Sequence, residues 1–170
     1  PGFDCTVVEY IGRGHEQFGD EIQRVFEWMN KPANRREFAN REFDMVSMRP
    51  LDSFFWWIEA EGLPSRNMVT ALNWDAVGRR TREATIQGEI KGSNRLDVRT
   101  SAQRVRIGLT PDMVDFADDI HVTVNSRKLR DELDDVRPNP AVILEDVRTR
   151  GDRLHPFWAV IESRGARPTN

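Results

Sequence analysis

Between residues 84 and 124 apolar side chains recur at every second position, and no other feature constrains the fold as strongly. Ala84, Ile86, Gly88 and Ile90 form the first such series, then Leu96 and Val98, then Val105, Ile107 and Leu109, then Ile120, Val122 and Val124. A period of two puts one apolar face on a strand. The separators Gly92-Ser93-Asn94, Thr100-Ser101-Ala102-Gln103, Thr110-Pro111-Asp112 and Asn125-Ser126 are rich in residues that turn the chain. Short strands about ten residues apart with turns between them imply an antiparallel meander or sandwich.

The same period begins earlier. Phe43, Met45 and Ser47 face one way and Asp44, Val46 and Met48 the other, until Arg49-Pro50 ends the run. Phe54-Phe55-Trp56-Trp57-Ile58 is apolar on both faces. Asp52 could open a short helix there, but the aromatic density favours a central strand. Asn139-Pro140 is an N-cap followed by proline at the first helical position, and Val142, Ile143 and Val147 give a short apolar stripe, so a helix is expected over 140–148. After the Arg150-Gly151-Asp152-Arg153 turn, Phe157–Ile161 reads as a last strand and residues 165–170 as a tail.

Before residue 35 the pattern differs. Thr6–Ile11 is β-branched and aromatic, as a mostly buried strand should be, and Gly12-Arg13-Gly14-His15-Glu16 is a glycine turn. Phe18, Ile22, Val25, Phe26 and Met29 then recur with the period of a helix, which Lys31-Pro32 stops. The expected organisation is therefore a strand-loop-helix over 1–33, a polar connector over 34–41, and a β-sandwich over 42–164. The fold class is α+β, mainly β.

Composition narrows the chemistry. The net charge is −3, with 25 basic and 28 acidic residues among 170, and Lys31, Lys91 and Lys128 are the only lysines. A dedicated nucleic-acid binder needs a basic excess, so nucleic acid is not an expected partner. No apolar run approaches the length needed to span a bilayer, so no membrane is expected. Cys5 alone cannot make an internal disulfide, and three histidines without a cysteine cluster give no zinc pattern. No metal or cofactor is expected, and the compartment is left open.

The turn at Gly12–Glu16 carries the chemical content. His15 follows a strand, where open α/β sheets place their sites, and imidazole is the natural general base near neutral pH. Val8-Glu9-Tyr10-Ile11-Gly12-Arg13-Gly14-His15-Glu16, with the helix through Phe26-Glu27-Trp28-Met29, resembles the C-terminal end of a prolyl-oligopeptidase-like α/β-hydrolase. The resemblance covers residues 4 to 32. It implies that His15 is the triad histidine, with the serine and the acid upstream, since the order in that fold is Ser, Asp or Glu, His. No Gly-x-Ser-x-Gly occurs in the sequence, which fits a segment of a longer enzyme whose boundary or cleavage point is Pro1.

The remainder, including Asp112–Phe116, Val122–Asn125 and Leu144–Arg153, resembles a β-rich extension after the hydrolase domain of some large bacterial peptidases and esterases. The chain would then supply the base and an accessory domain to a serine hydrolase, be inert alone, and have the upstream hydrolase domain as partner. Its unmatched apolar face would also promote self-association through residues 1–33. The rival reading is a non-catalytic β-sandwich interaction or carbohydrate-binding module.

Weaker motifs point to ordinary structure. Gly12-x-Gly14 imitates a dinucleotide fingerprint, but Gln17 stands where a third small residue belongs. Asp112, Asp115, Asp118 and Asp119 lack the ligand spacing of a calcium loop and read as a solvated turn. Arg150-Gly151-Asp152 reads as a turn whose charges pair with Arg148 or Arg153 rather than as an adhesion tripeptide. Trp56, Trp57, Trp74 and Trp158 could line a sugar platform or pack a core. His121 is out of phase with its apolar neighbours and should face solvent, and His155, before a proline, offers no evident partner.

Overall fold

The computed structural model describes residues 7–15, 17–31, 40–49, 51–63, 83–92, 94–129, 133 and 136–163. The chain divides into two compact units, Pro1–Glu37 and Phe38–Asn170. Cys5, Glu16 and Trp74 lie outside the described residues. Among those described, nine strands and two helices make a mainly β, α+β fold.

The second unit holds all nine strands. One sheet has the order β1 (Glu42–Ser47), β4 (Ala84–Lys91), β5 (Arg95–Thr100), β7 (His121–Val124) and β8 (Arg127–Lys128). The other has the order β2 (Phe54–Phe55), β3 (Ile58–Glu61), β6 (Arg104–Leu109) and β9 (Ala159–Glu162). The alternation becomes burial directly. Ala84, Ile86 and Ile90 of β4, Leu96 and Val98 of β5, and Val105, Ile107 and Leu109 of β6 enter one core that both sheets build. In β1, Phe43 and Ser47 are buried as expected, while Met45 between them stays largely exposed.

Two strand expectations need correction. The pairing is not antiparallel throughout, because β5 and β7 run parallel. Between them the chain visits the other sheet as β6 and returns, and that detour supplies the crossover that parallel neighbours require. Phe54–Ile58 is neither a helix nor one central strand. It is a hairpin in which Phe55 pairs with Ile58 around Trp56-Trp57, and Trp56 carries a positive φ of 57°. A bulky residue is costly there. The fold that results buries Trp57 to 1% exposure, with its indole N–H donating to the Asn40 carbonyl at 2.9 Å and its ring edge-on to Phe43 at 5.5 Å.

Asparagines fasten two other turns. Asn125 and Ser126 both have positive φ, as a two-residue hairpin of type I′ demands. The Asn125 amide donates to the Thr100 carbonyl and accepts from the Thr100 N–H, each at 2.9 Å, so a side chain stands in for a ladder residue. Asn94, also left-handed, grips the N–H and carbonyl of Asp115 at 2.8 and 2.7 Å.

Helix α2 spans Pro140–Arg150, two residues beyond the expected end. The Asn139 side chain accepts from the Ala141 N–H at 2.9 Å, and Gly151 closes the helix in the left-handed region. The last strand starts at Ala159 rather than Phe157 because the Phe157 N–H is held by the Asp146 carboxylate instead of a ladder partner.

In the first unit, α1 spans Glu21–Asn30, and Lys31 leaves it in an extended conformation ahead of Pro32. Val7–Ile11, expected as part of a buried strand, is irregular, with Val7, Val8 and Ile11 exposed. A strand exists only through pairing, and no ladder reaches this segment among the described residues. Helix α1 has no buried residue, and Ile22, Val25, Phe26 and Met29 are each 53–58% exposed.

Candidate functional site

The histidine loop is built locally. The Arg13 N–H donates to the Tyr10 carbonyl at 3.5 Å across a turn whose third residue, Gly12, has φ +77°. That position of a type II turn favours glycine, which explains the residue. The Tyr10 and Phe18 rings stack with centroids 4.8 Å apart, and the Arg13 guanidinium lies 5.9 Å from the Phe18 centroid. Beyond the loop, the Phe18 carbonyl accepts from the Glu21 N–H at 3.0 Å and the chain enters α1. Interaction with the Glu21 carboxylate raises the Tyr10 phenol above its ordinary pKa, with desolvation acting in the same direction.

His15 is exposed on this loop, and among the described residues no serine or carboxylate bonds to it. Among the described residues neither a nucleophile nor an orienting acid stands against its imidazole. No group of three or more His, Cys, Asp or Glu that could hold a metal ion occurs among the described residues. No helix among them is long and apolar enough to cross a membrane.

The second unit has a cleft of about 640 Å³ between α2 and the outer face of β3, β6 and β9. Its floor includes Phe54, Gly108 and Phe157, and a Cβ on Gly108 would stand 2.5 Å from the Phe157 ring, so only glycine lets that ring lie on the strand. Arg150 sits 4.3 Å from the Phe157 centroid and 5.8 Å from that of Phe54. Asp146 receives two bonds of 2.6 Å from Arg150 and one of 2.9 Å from the Phe157 N–H, with its side chain only 11% exposed. At the other end, Arg106 bridges Glu59 at 2.7 Å and Glu162 at 3.1 Å. The cleft's charges are therefore largely paired with one another.

The remaining candidates fall into place as structure. The Arg150-Gly151-Asp152 tripeptide is a helix end, and its Asp152 pairs with neither Arg148 nor Arg153 in the bonds it makes. Its carboxylate instead accepts from the N–H groups of His155 and Leu154 at 3.0 and 2.9 Å. Those bonds, led by the one from His155, hold its pKa below the ordinary range. His155, expected to lack a partner, is engaged through that N–H and through its carbonyl, which accepts from Arg150 at 2.9 Å. Asp115 accepts from the Ala117 N–H at 2.9 Å in the acidic turn. Trp57 is too deeply buried to stack on a sugar, Trp56 is half-buried, and His121 is exposed.

The sequence singled out His15 but not the Tyr10–Phe18 pair that closes its loop. The signal was two aromatics eight positions apart around a glycine turn, read instead as strand and helix positions. The Asp146–Arg150–Phe157 cluster was equally hidden, because its i,i+4 ion pair looks like any solvated helix face. Comparison with protein-family models, with curated proteins and with solved structures gave no match for the chain.

Proposed function

We propose that the chain is the C-terminal portion of a serine hydrolase acting on an ester or peptide carbonyl, in which residues 1–33 complete the hydrolase sheet and carry the general base His15, and the β unit is an accessory domain. The observation that carries this reading is the uncovered apolar surface around the histidine loop: Val7, Val8 and Ile11 before it, and Ile22, Val25, Phe26 and Met29 after it, are all exposed. Fully burying such side chains is worth about 1.5–3 kcal/mol each, so a sequence that spaces them at helical period serves a surface that covers them. The last strand and helix of a larger sheet have such a surface.

In the proposed mechanism an upstream serine attacks the carbonyl carbon while His15 takes the hydroxyl proton. His15 then returns that proton to the leaving group as the tetrahedral intermediate collapses to the acyl-enzyme. Water, deprotonated by the same imidazole, releases the acid. An upstream Asp or Glu orients the ring. No cofactor enters this scheme.

The test uses the longer polypeptide that contains this chain. A fluorophosphonate should label one serine outside residues 1–170, and His15→Ala should reduce turnover of activated esters or peptidyl anilides by at least about a thousandfold. The 170-residue chain alone should be neither labelled nor active. A His15→Ala enzyme retaining a tenth of wild-type activity would remove His15 from the mechanism. The cleft beside α2 favours a second reading, a non-catalytic β module with a ligand of its own, and absence of any labelled serine in the longer polypeptide would select it.

A further inference from the structure

The geometry points to the Tyr10–Phe18 stack as a positioning clamp beside the turn at Gly12 that fixes where the His15 imidazole stands. The inference rests on the reading of His15 as the general base.

Gly12 gives this loop its sharp turn, and together with Gly14 it enlarges the set of conformations the loop must abandon to hold one. A base must meet its proton within hydrogen-bond reach, and displacement by about 1 Å can cost on the order of a hundredfold in rate. His15 has no bond of its own among the described residues that would fix it. The upstream acid would orient the ring, whereas the backbone that carries it is held from the ends of the loop, where the two rings meet at 4.8 Å with an interplanar angle of 28°. The single Tyr10–Arg13 backbone bond, at 3.5 Å, is too long to hold the turn strongly. On the helix side, Phe18 is anchored through its carbonyl to the first turn of α1, so the stack ties the loop to a regular element. Tyr10 and Phe18 act through His15 and are positioning residues.

In the enzyme containing this chain, Phe18→Ala and Tyr10→Ala should each lower kcat about 10- to 100-fold with KM changed less than about twofold. Phe18→Tyr and Tyr10→Phe, which keep both rings, should restore kcat to within about threefold. In the 170-residue chain, trypsin should cut after Arg13 faster in Phe18→Ala than in wild type, with fragments followed by mass spectrometry. If Phe18→Ala and Tyr10→Ala keep full kcat while His15→Ala abolishes turnover, the clamp is wrong and the base stands. Unchanged cleavage after Arg13 in Phe18→Ala would also overturn the clamp. If His15→Ala itself retains activity, the base falls and the clamp's catalytic role with it.

Discussion

The two units of this chain solve the problem of apolar surface in opposite ways. In the β unit Ile58, Ile86, Leu96, Ile107 and Leu109 are fully enclosed, and even a tryptophan, Trp57, is buried with its indole N–H satisfied. In the amino-terminal unit a helix of ten residues buries none of its side chains, although Ile22, Val25, Phe26 and Met29 line one face. Regular hydrophobic patterning, of period two in one region and of helical period in the other, thus produces a core in the first and an uncovered stripe in the second. The difference lies in what each region has to pack against. Two sheets face a shared interior in the first, whereas among the described residues of the other one helix and a segment outside any ladder bury no apolar side chain.

The sharpest contrast should come from truncating one side chain in each unit. Trp57→Ala removes the largest enclosed side chain and orphans the Asn40 carbonyl contact, and should cost about 3–5 kcal/mol in urea unfolding. Phe26→Ala on the exposed stripe should change stability by less than about 0.5 kcal/mol while reducing self-association measured by light scattering. Equal losses at both positions would mean that the stripe is part of a core.

Next in size are changes around the cleft. Gly108→Ala drives a methyl into the Phe157 ring, an overpacking that should cost about 1–3 kcal/mol. Asp146→Ala leaves the Phe157 N–H and the Arg150 guanidinium without their shared acceptor, and because the pair is partly exposed the loss should be about 1–3 kcal/mol. Asn139→Ala removes the helix cap and should cost about 1 kcal/mol. Thermal unfolding of the three variants against wild type ranks these effects.

How much of this was legible follows from whether the cause was local. The β4, β5 and β6 faces were readable because a period of two fixes which side chains point inward. The α2 start was readable because Asn139-Pro140 acts within one turn. The Trp56-Trp57 hairpin was not, since its turn uses a tryptophan where the usual signal is glycine or asparagine, and the gain that offsets the strain, burial of Trp57, is tertiary. The parallel β5–β7 pair was likewise invisible, because turn chemistry shows that the chain turns and not which sheet it enters next. In the histidine loop the sequence singled out His15 from its residue type and its place after a glycine turn, while the Tyr10–Phe18 contact depends on two residues brought together by the turn itself.

The smallest predicted change concerns pH. The folded-state pKa of Asp152 is depressed, chiefly by the His155 N–H, so its contribution is fully present above the ordinary aspartate pKa of about 3.9 and is lost as pH falls through the lower folded value. Asp152→Asn should therefore flatten the acid limb of the stability profile below about pH 4 and lower stability at neutral pH by the small amount that the wild type loses on acidification through this group, so that the two proteins converge in acid. A wild-type-like acid limb in this variant would assign the acid sensitivity elsewhere.

The difference between the units is tested most directly by removing residues 1–33 and measuring urea unfolding and mass in solution together. The account predicts that residues 34–170 unfold cooperatively within about 0.5 kcal/mol of the intact chain and are monomeric, whereas the intact chain forms dimers or larger species. An intact chain that is strictly monomeric, together with a shortened chain that cannot fold, would place α1 in the β unit's own core and contradict the account.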